Sequence, residues 1–107
     1  MTIFNLRTED RLSVIEESIT RTLTSMPEFA IDAQEVNVVP VLVPDGFDGK
    51  VTRINIDLWE RPERTKEALQ ELAMRVAQAF QAVVGEERRV KVVIRPYDVG
   101  TSGWVSL

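Results

Sequence analysis

Apolar residues recur every three or four positions in two stretches of the chain. Leu12, Ile15, Ile19, Leu23 and Met26 form one stripe; Leu69, Leu72, Val76, Phe80 and Val83 form the other. That spacing predicts two amphipathic helices with their apolar faces on a core. The first is expected to begin near Glu9, with Thr8 as its cap, acidic residues in its first turn, and Pro27 near its end. The second is expected to begin at Pro62, a favoured first helical position, and to stop at Gly85.

Strand patterns surround both helices. Residues 51 to 59 alternate: Thr52, Ile54, Ile56 and Leu58 point one way, and Arg53, Asn55, Asp57 and Trp59 the other. Residues 2 to 6 carry a similar pattern, with Phe4 and Leu6 expected on the apolar face. Val36 to Val43 and Val90 to Ile94 are nearly continuous valine-rich runs that suit buried sheet. Pro40 and Pro44 make the first of these an interrupted or edge strand. Asp45-Gly46-Phe47-Asp48-Gly49 reads as a tight turn between the halves.

The two halves are alike. Comparing each residue with the one 54 places on gives ten identities in 53 pairs, among them Arg7/Arg61, Glu9/Glu63, Val36/Val90 and Val38/Val92. Ordinary composition gives roughly three by chance. Each half reads strand, helix, strand. The expectation is a single α/β (α+β) domain over 1–107, built from β-α-β units 1–50 and 51–107 in pseudo-twofold repeat. A ferredoxin-like sandwich has the same element order and is the alternative. One sheet face takes the helices. The other carries Asn5, Arg7, Arg53, Asn55, Asp57, Trp59, Lys91, Arg95 and Tyr97. It is either a solvated outer face or the lining of an interface or channel.

Composition narrows the chemistry. The chain has 107 residues, 44% hydrophobic and 28% charged, the balance of a soluble globular protein. It has no cysteine and no histidine, which removes disulfides, thiolate catalysis, the commonest metal ligands and histidine-based nucleophile pairs. Net charge is −4, against the basic excess of a nucleic-acid binder. No apolar run approaches the length of a membrane span, and the start is not a signal peptide, so a cytoplasmic location is expected. No spacing supports a metal, and no cofactor motif is present: Val83-Val84-Gly85-Glu86 lacks the phosphate-loop pattern. Glu16-Glu17 and Glu86-Glu87 read as solvated pairs, and Glu86-Glu87-Arg88-Arg89 as a charged turn.

A repeated β-α-β unit with charged strand–helix junctions resembles the tautomerase superfamily, whose members include oxalocrotonate tautomerase and macrophage migration inhibitory factor. Leu58-Trp59-Glu60-Arg61-Pro62-Glu63-Arg64-Thr65-Lys66 is similar to the family's Leu-Glu-Gly-Arg-Ser-Asp-Glu-Gln-Lys stretch. Val90-Lys91-Val92-Val93-Ile94 is similar to its Val-Arg-Val-Ile-Ile strand, and Arg7-Thr8-Glu9-Asp10 to the same junction in the first half. Gly100 to Trp104 looks like its glycine-rich tail. The opening residues resemble a bacterial subgroup of about this length that begins Met-Pro.

The resemblance implies a homotrimer and a reaction without cofactor. The family's base is the amine of an N-terminal proline exposed by removal of methionine. Here the position is Thr2. A Thr2 α-amine, with an ordinary pKa of about 8 lowered by desolvation or a nearby cation, would be the proton-moving group. Arg7 and Arg61 would clamp the carboxylate of a small substrate, and Lys91 and Tyr97 would be polar groups of the pocket. Trp59 and Asp57 complete the candidate set, Asp57 as an arginine's structural partner or as a second acid. Two functions follow: keto-enol isomerisation of a small carboxylated molecule, or a non-catalytic oligomeric binding protein that has lost the catalytic proline.

Overall fold

A computed structural model describes residues 1–42, 51–98, 100–103 and 105–107. The turn expected at Asp45–Gly49, the residues Val43 and Pro44, and the tail aromatic Trp104 lie outside these. Six main elements follow in order: β1 (Thr2–Leu6), α1 (Leu12–Thr24), β2 (Val39–Leu42), β3 (Val51–Trp59), α2 (Lys66–Val84) and β4 (Arg89–Tyr97). Two short 3₁₀ segments, Pro27–Phe29 and Ala33–Glu35, lie between α1 and β2.

The sheet order is β2-β1-β3-β4. β1 is parallel to β2, β3 is parallel to β4, and the central pair β1–β3 is antiparallel. The strands of each β-α-β unit are therefore direct neighbours. That arrangement differs from the ferredoxin-like sandwich, in which a third strand splits each unit. Shifted by 54 places, α1 falls within α2 and β2 falls on Val93–Pro96 of β4.

Both helices pack on one face of the sheet. The apolar stripes supply Ile15, Ile19 and Leu23 from α1 and Leu72, Val76 and Phe80 from α2. β3 alternates as its sequence dictates, with Thr52, Ile54, Ile56 and Leu58 buried. β1 departs from the expected phase. Ile3 and Leu6, not Phe4 and Leu6, are in the core. The cause is an irregularity between Phe4 and Leu6, where Asn5 takes φ +62° and inserts one residue. Asparagine tolerates that left-handed conformation, and an extra residue reverses the facing of everything before it.

Both helices start later than expected, at Leu12 and Lys66. In each half the junction first closes a turn, with Asp10 N–H donating to Arg7 O and Arg64 N–H to Arg61 O, both at 3.0 Å. Thr8 and Pro62 sit inside these turns rather than at helix starts. The cap of α2 is Thr65, whose hydroxyl accepts from the Ala68 N–H at 3.2 Å. The valine-rich runs also end up less buried than expected, because β2 and β4 are the sheet's edges. β2 is exposed along its length, Val39 at 53% and Leu42 at 55%. Gly85 ends α2 at φ +109°, a conformation that side chains disfavour.

Candidate active site

The register of the central strands creates a gap in the sheet. Thr2 pairs with Asn55, yet β3 continues to Trp59. Beyond the start of β1, that stretch of β3 has no strand partner on its β1 side among the described residues. The segment between α1 and β2 lies over the opening and forms one wall of a solvent-connected cavity of about 310 Å³. Its apolar lining is Leu23, Ile31, Val36, Ile56 and Leu58; its polar lining is Glu35, Asn37, Asp57 and Arg64. Trp59 and Tyr97 form an aromatic wall, paired across β3 and β4 edge to face with centroids 4.2 Å apart. Met1 also lines the cavity, and its terminal ammonium donates to the Asn37 carbonyl at 2.8 Å.

Arg64 is the cation of this site, and the sequence pattern did not single it out. Its Nη1 donates to the Trp59 carbonyl at 2.5 Å and its Nη2 to the Phe29 carbonyl at 2.6 Å. Its guanidinium lies over the Phe29 ring at 5.9 Å, and its Nε is buried without a partner. Among the described residues it forms no ion pair within 4 Å. Burial lowers its pKa most, the nearby Arg61 lowers it further, and Glu35 and Glu63 offset part of this. A half-buried charge held only by neutral carbonyls is under-compensated, and a carboxylate is the group that best completes it.

The expected site residues divide between the two ends of the sheet. Asp57, Trp59 and Tyr97 line the cavity. Thr2 is one residue inside it, half-buried at the first position of β1. Arg61 is exposed three residues before Arg64. Arg7 and Lys91 lie at the opposite end. Lys91 pairs with Arg53, Arg53 pairs with Phe4, and Arg7 follows the last residue of β1. Lys91 and Tyr97 are thus about 20 Å apart at about 3.3 Å per residue. The antiparallel central pair explains the split: equivalent residues of the two halves point to opposite ends. Asp57 is engaged by an arginine, accepting from Arg95 Nε at 3.2 Å across β3 and β4, with both groups more than half exposed.

The opposite corner holds a second arginine that the pattern did not single out. Arg88, read from sequence as part of a charged turn, is only 4% exposed. It forms a two-pronged pair with Asp10 at 2.9 and 3.0 Å and donates to the Thr52 hydroxyl at 3.0 Å. Like Arg64 it lies over a phenyl ring, Phe80 at 5.6 Å, with its Nε buried and unpartnered. Asp10 also accepts from the Arg7 N–H at 2.8 Å. Burial pushes the Asp10 pKa up, but the Arg88 and Arg7 hydrogen bonds and charges outweigh it and hold it below the usual value.

Among the described residues no helix is long and apolar enough to cross a membrane. No protein-family model and no curated protein matches the chain. Solved structures do match. A native fused 4-OT superposes with a TM-score of 0.76 at 16% identity, covering 96% of this chain and 90% of that one. N1, a member of the cis-3-chloroacrylic acid dehalogenase family, gives 0.76 at 12% identity, covering 99% and 80%. FG41 malonate semialdehyde decarboxylase gives 0.72 at 14% identity, covering 98% and 88%. At these identities the likeness is one of fold. In strand order, helix placement and near-complete coverage, this chain has the fold of the tautomerase superfamily.

Proposed function

We propose that the chain is a tautomerase-like protein whose cavity takes a small carboxylated molecule and shifts a proton between its keto and enol forms. The observation that supports this most is Arg64, a cavity-lining guanidinium with no acidic partner among the described residues, close to the end of the strand that bears the chain's amine. Arg64 takes the carboxylate, with Arg61 adding positive charge at its side. The aromatic wall of Trp59 and Tyr97 holds the planar enol. With Met1 removed, the Thr2 α-amine takes a proton from the carbon next to the carbonyl and returns one at the other end of the enol system. An ordinary α-amine, with a pKa of about 8, is basic enough to take that proton once neutral. Two structural neighbours are described as blocked by small carboxylates, 3-bromopropiolate in one and 2-oxo-3-pentynoate in the other, which supports this ligand class.

We also propose a homotrimer. Fused 4-OT neighbours are described as trimers, and β2 presents an apolar edge, unpaired among the described residues, that a second copy can cover. In that assembly Arg7 and Lys91 serve the cavity of a neighbouring copy rather than their own.

A non-catalytic binding protein is the second reading. It is favoured by Thr2 in the place of the family's proline and by the Met1 ammonium donating to the Asn37 carbonyl. Intact mass decides whether the amine belongs to Met1 or Thr2. Ketonisation of phenylpyruvate is then measured for the wild type and for Thr2→Pro. Turnover in the wild type, or a gain of turnover in the variant, supports the enzyme. Phenylpyruvate binding without turnover in either protein points to the binding module.

A further inference from the structure

Each corner of the molecule is made of the same two turns. At the closed corner, Asp10 ends the turn 7–10 and Arg88 ends the turn 85–88, each N–H donating to the carbonyl three residues back. At the cavity corner, Arg64 ends the turn 61–64 and Glu35 ends the turn 32–35, with the same bonds. The charges are exchanged between the corners. In the closed one the turn before the helix ends in an acid and the turn before the strand in an arginine. In the cavity corner the turn before the helix ends in the arginine and the turn before the strand in the acid.

The two pairs differ in one respect. Asp10 and Arg88 meet face to face at 2.9 and 3.0 Å and are nearly inaccessible, at 6% and 4%. Glu35 and Arg64 both line the cavity but form no ion pair within 4 Å, although Glu35 raises the Arg64 pKa through its charge. Glu35 is exposed at the rim and lies in a three-residue 3₁₀ segment, exposed throughout and held by the Asp32 carboxylate accepting from the Gln34 N–H at 3.1 Å. An exposed side chain at such a position can change rotamer without unfolding the segment that carries it.

We infer that Glu35 is a built-in competitor for Arg64: the Glu35 carboxylate and a ligand carboxylate occupy the same guanidinium in alternation. The Asp10–Arg88 pair shows the closed form of this geometry, and the cavity corner is its open counterpart. The inference rests on the reading that the cavity takes a carboxylate at Arg64. Its consequence is selectivity. A ligand with a carboxylate able to make both hydrogen bonds displaces Glu35, whereas a neutral analogue leaves Arg64 to Glu35 and gains nothing there.

The test is calorimetric titration with 3-phenylpropanoate, which has no keto group to react, and with its neutral amide. Wild type, Glu35→Gln and Glu35→Asp are compared, with thermal unfolding as a control on folding. Glu35→Gln removes the charge and keeps the shape. It is expected to bind the carboxylate about five- to tenfold more tightly, with no change for the amide, while Glu35→Asp stays near wild type. Binding of the carboxylate by Glu35→Gln alone also supports the competitor. Equal or weaker binding by Glu35→Gln overturns it and leaves the carboxylate cavity standing. Absence of binding in all three proteins overturns both the competitor and the reading beneath it.

Discussion

The two corners of this molecule start from the same local geometry and end in opposite states. At one, Arg88 is sealed against Asp10 and Thr52, with every atom but Nε satisfied among protein groups. At the other, Arg64 is held by two backbone carbonyls beside a cavity. A buried arginine with a carboxylate is a structural element. A half-buried arginine without one, facing a cavity beside aromatic rings, is the group we propose to bind a ligand. The difference follows from the sheet: β3 runs past the start of β1 at the cavity end. The closed corner instead brings β1, β3 and both turns together on one ion pair.

Substitutions at the closed corner should affect stability most. Removing one member of a buried pair leaves the other uncompensated, so Arg88→Met should cost about 3–5 kcal/mol in urea unfolding. Arg64→Met leaves two carbonyls near a solvent-connected cavity and should cost about 1–3 kcal/mol. Equal losses at the two sites would erase the distinction. A sharper version replaces both closed-corner partners. Asp10→Leu with Arg88→Met should recover most of the single-variant loss, because an apolar pair of similar volume avoids desolvating charge.

Acid should separate the corners next. The folded Asp10 pKa lies below its usual value. Its share of stability is therefore complete above about pH 4 and is lost as pH falls through the depressed native pKa. The stability gap between wild type and Asp10→Asn, read from urea midpoints, should narrow below about pH 4 and hold steady from pH 5 to 7. A gap that widens on acidification would contradict the assignment. The smallest effect belongs to the outer sheet face. Asp57→Asn breaks an exposed pair with Arg95 and should change stability by less than about 1 kcal/mol.

Much of this architecture is legible in the sequence. The helical stripes, the alternation of β3 and the 54-residue offset all rest on periodicity, and periodicity survives folding. What it misses has local causes. Thr8 and Pro62 look like helix starts, but each half first closes a turn ending in Asp10 or Arg64. Phe4 changes face because one asparagine adopts a left-handed conformation, which no hydrophobic pattern registers. Arg88 reads as part of a charged turn and Arg64 does not stand out, because a pattern records residue type, not where a long side chain takes its head group. One signal was present: Asp10 and Arg64 stand 54 places apart with opposite charge, within junctions that otherwise match at Arg7/Arg61 and Glu9/Glu63. Reading the mismatches of a repeat, as well as its identities, points to where the halves diverge in task. That Arg7 and Arg61 lie at opposite ends of the sheet was also beyond reach of the pattern, since it depends on the direction of the central strands.

The most direct measurement is a crystal structure of the protein grown with 3-phenylpropanoate. The carboxylate is expected in the cavity, with both oxygens within about 3 Å of the Arg64 guanidinium and the phenyl ring against Trp59 and Tyr97. A carboxylate bound instead at Arg7 or Lys91 of the same chain, or an Arg64 left on its two carbonyls beside an empty cavity, would contradict it.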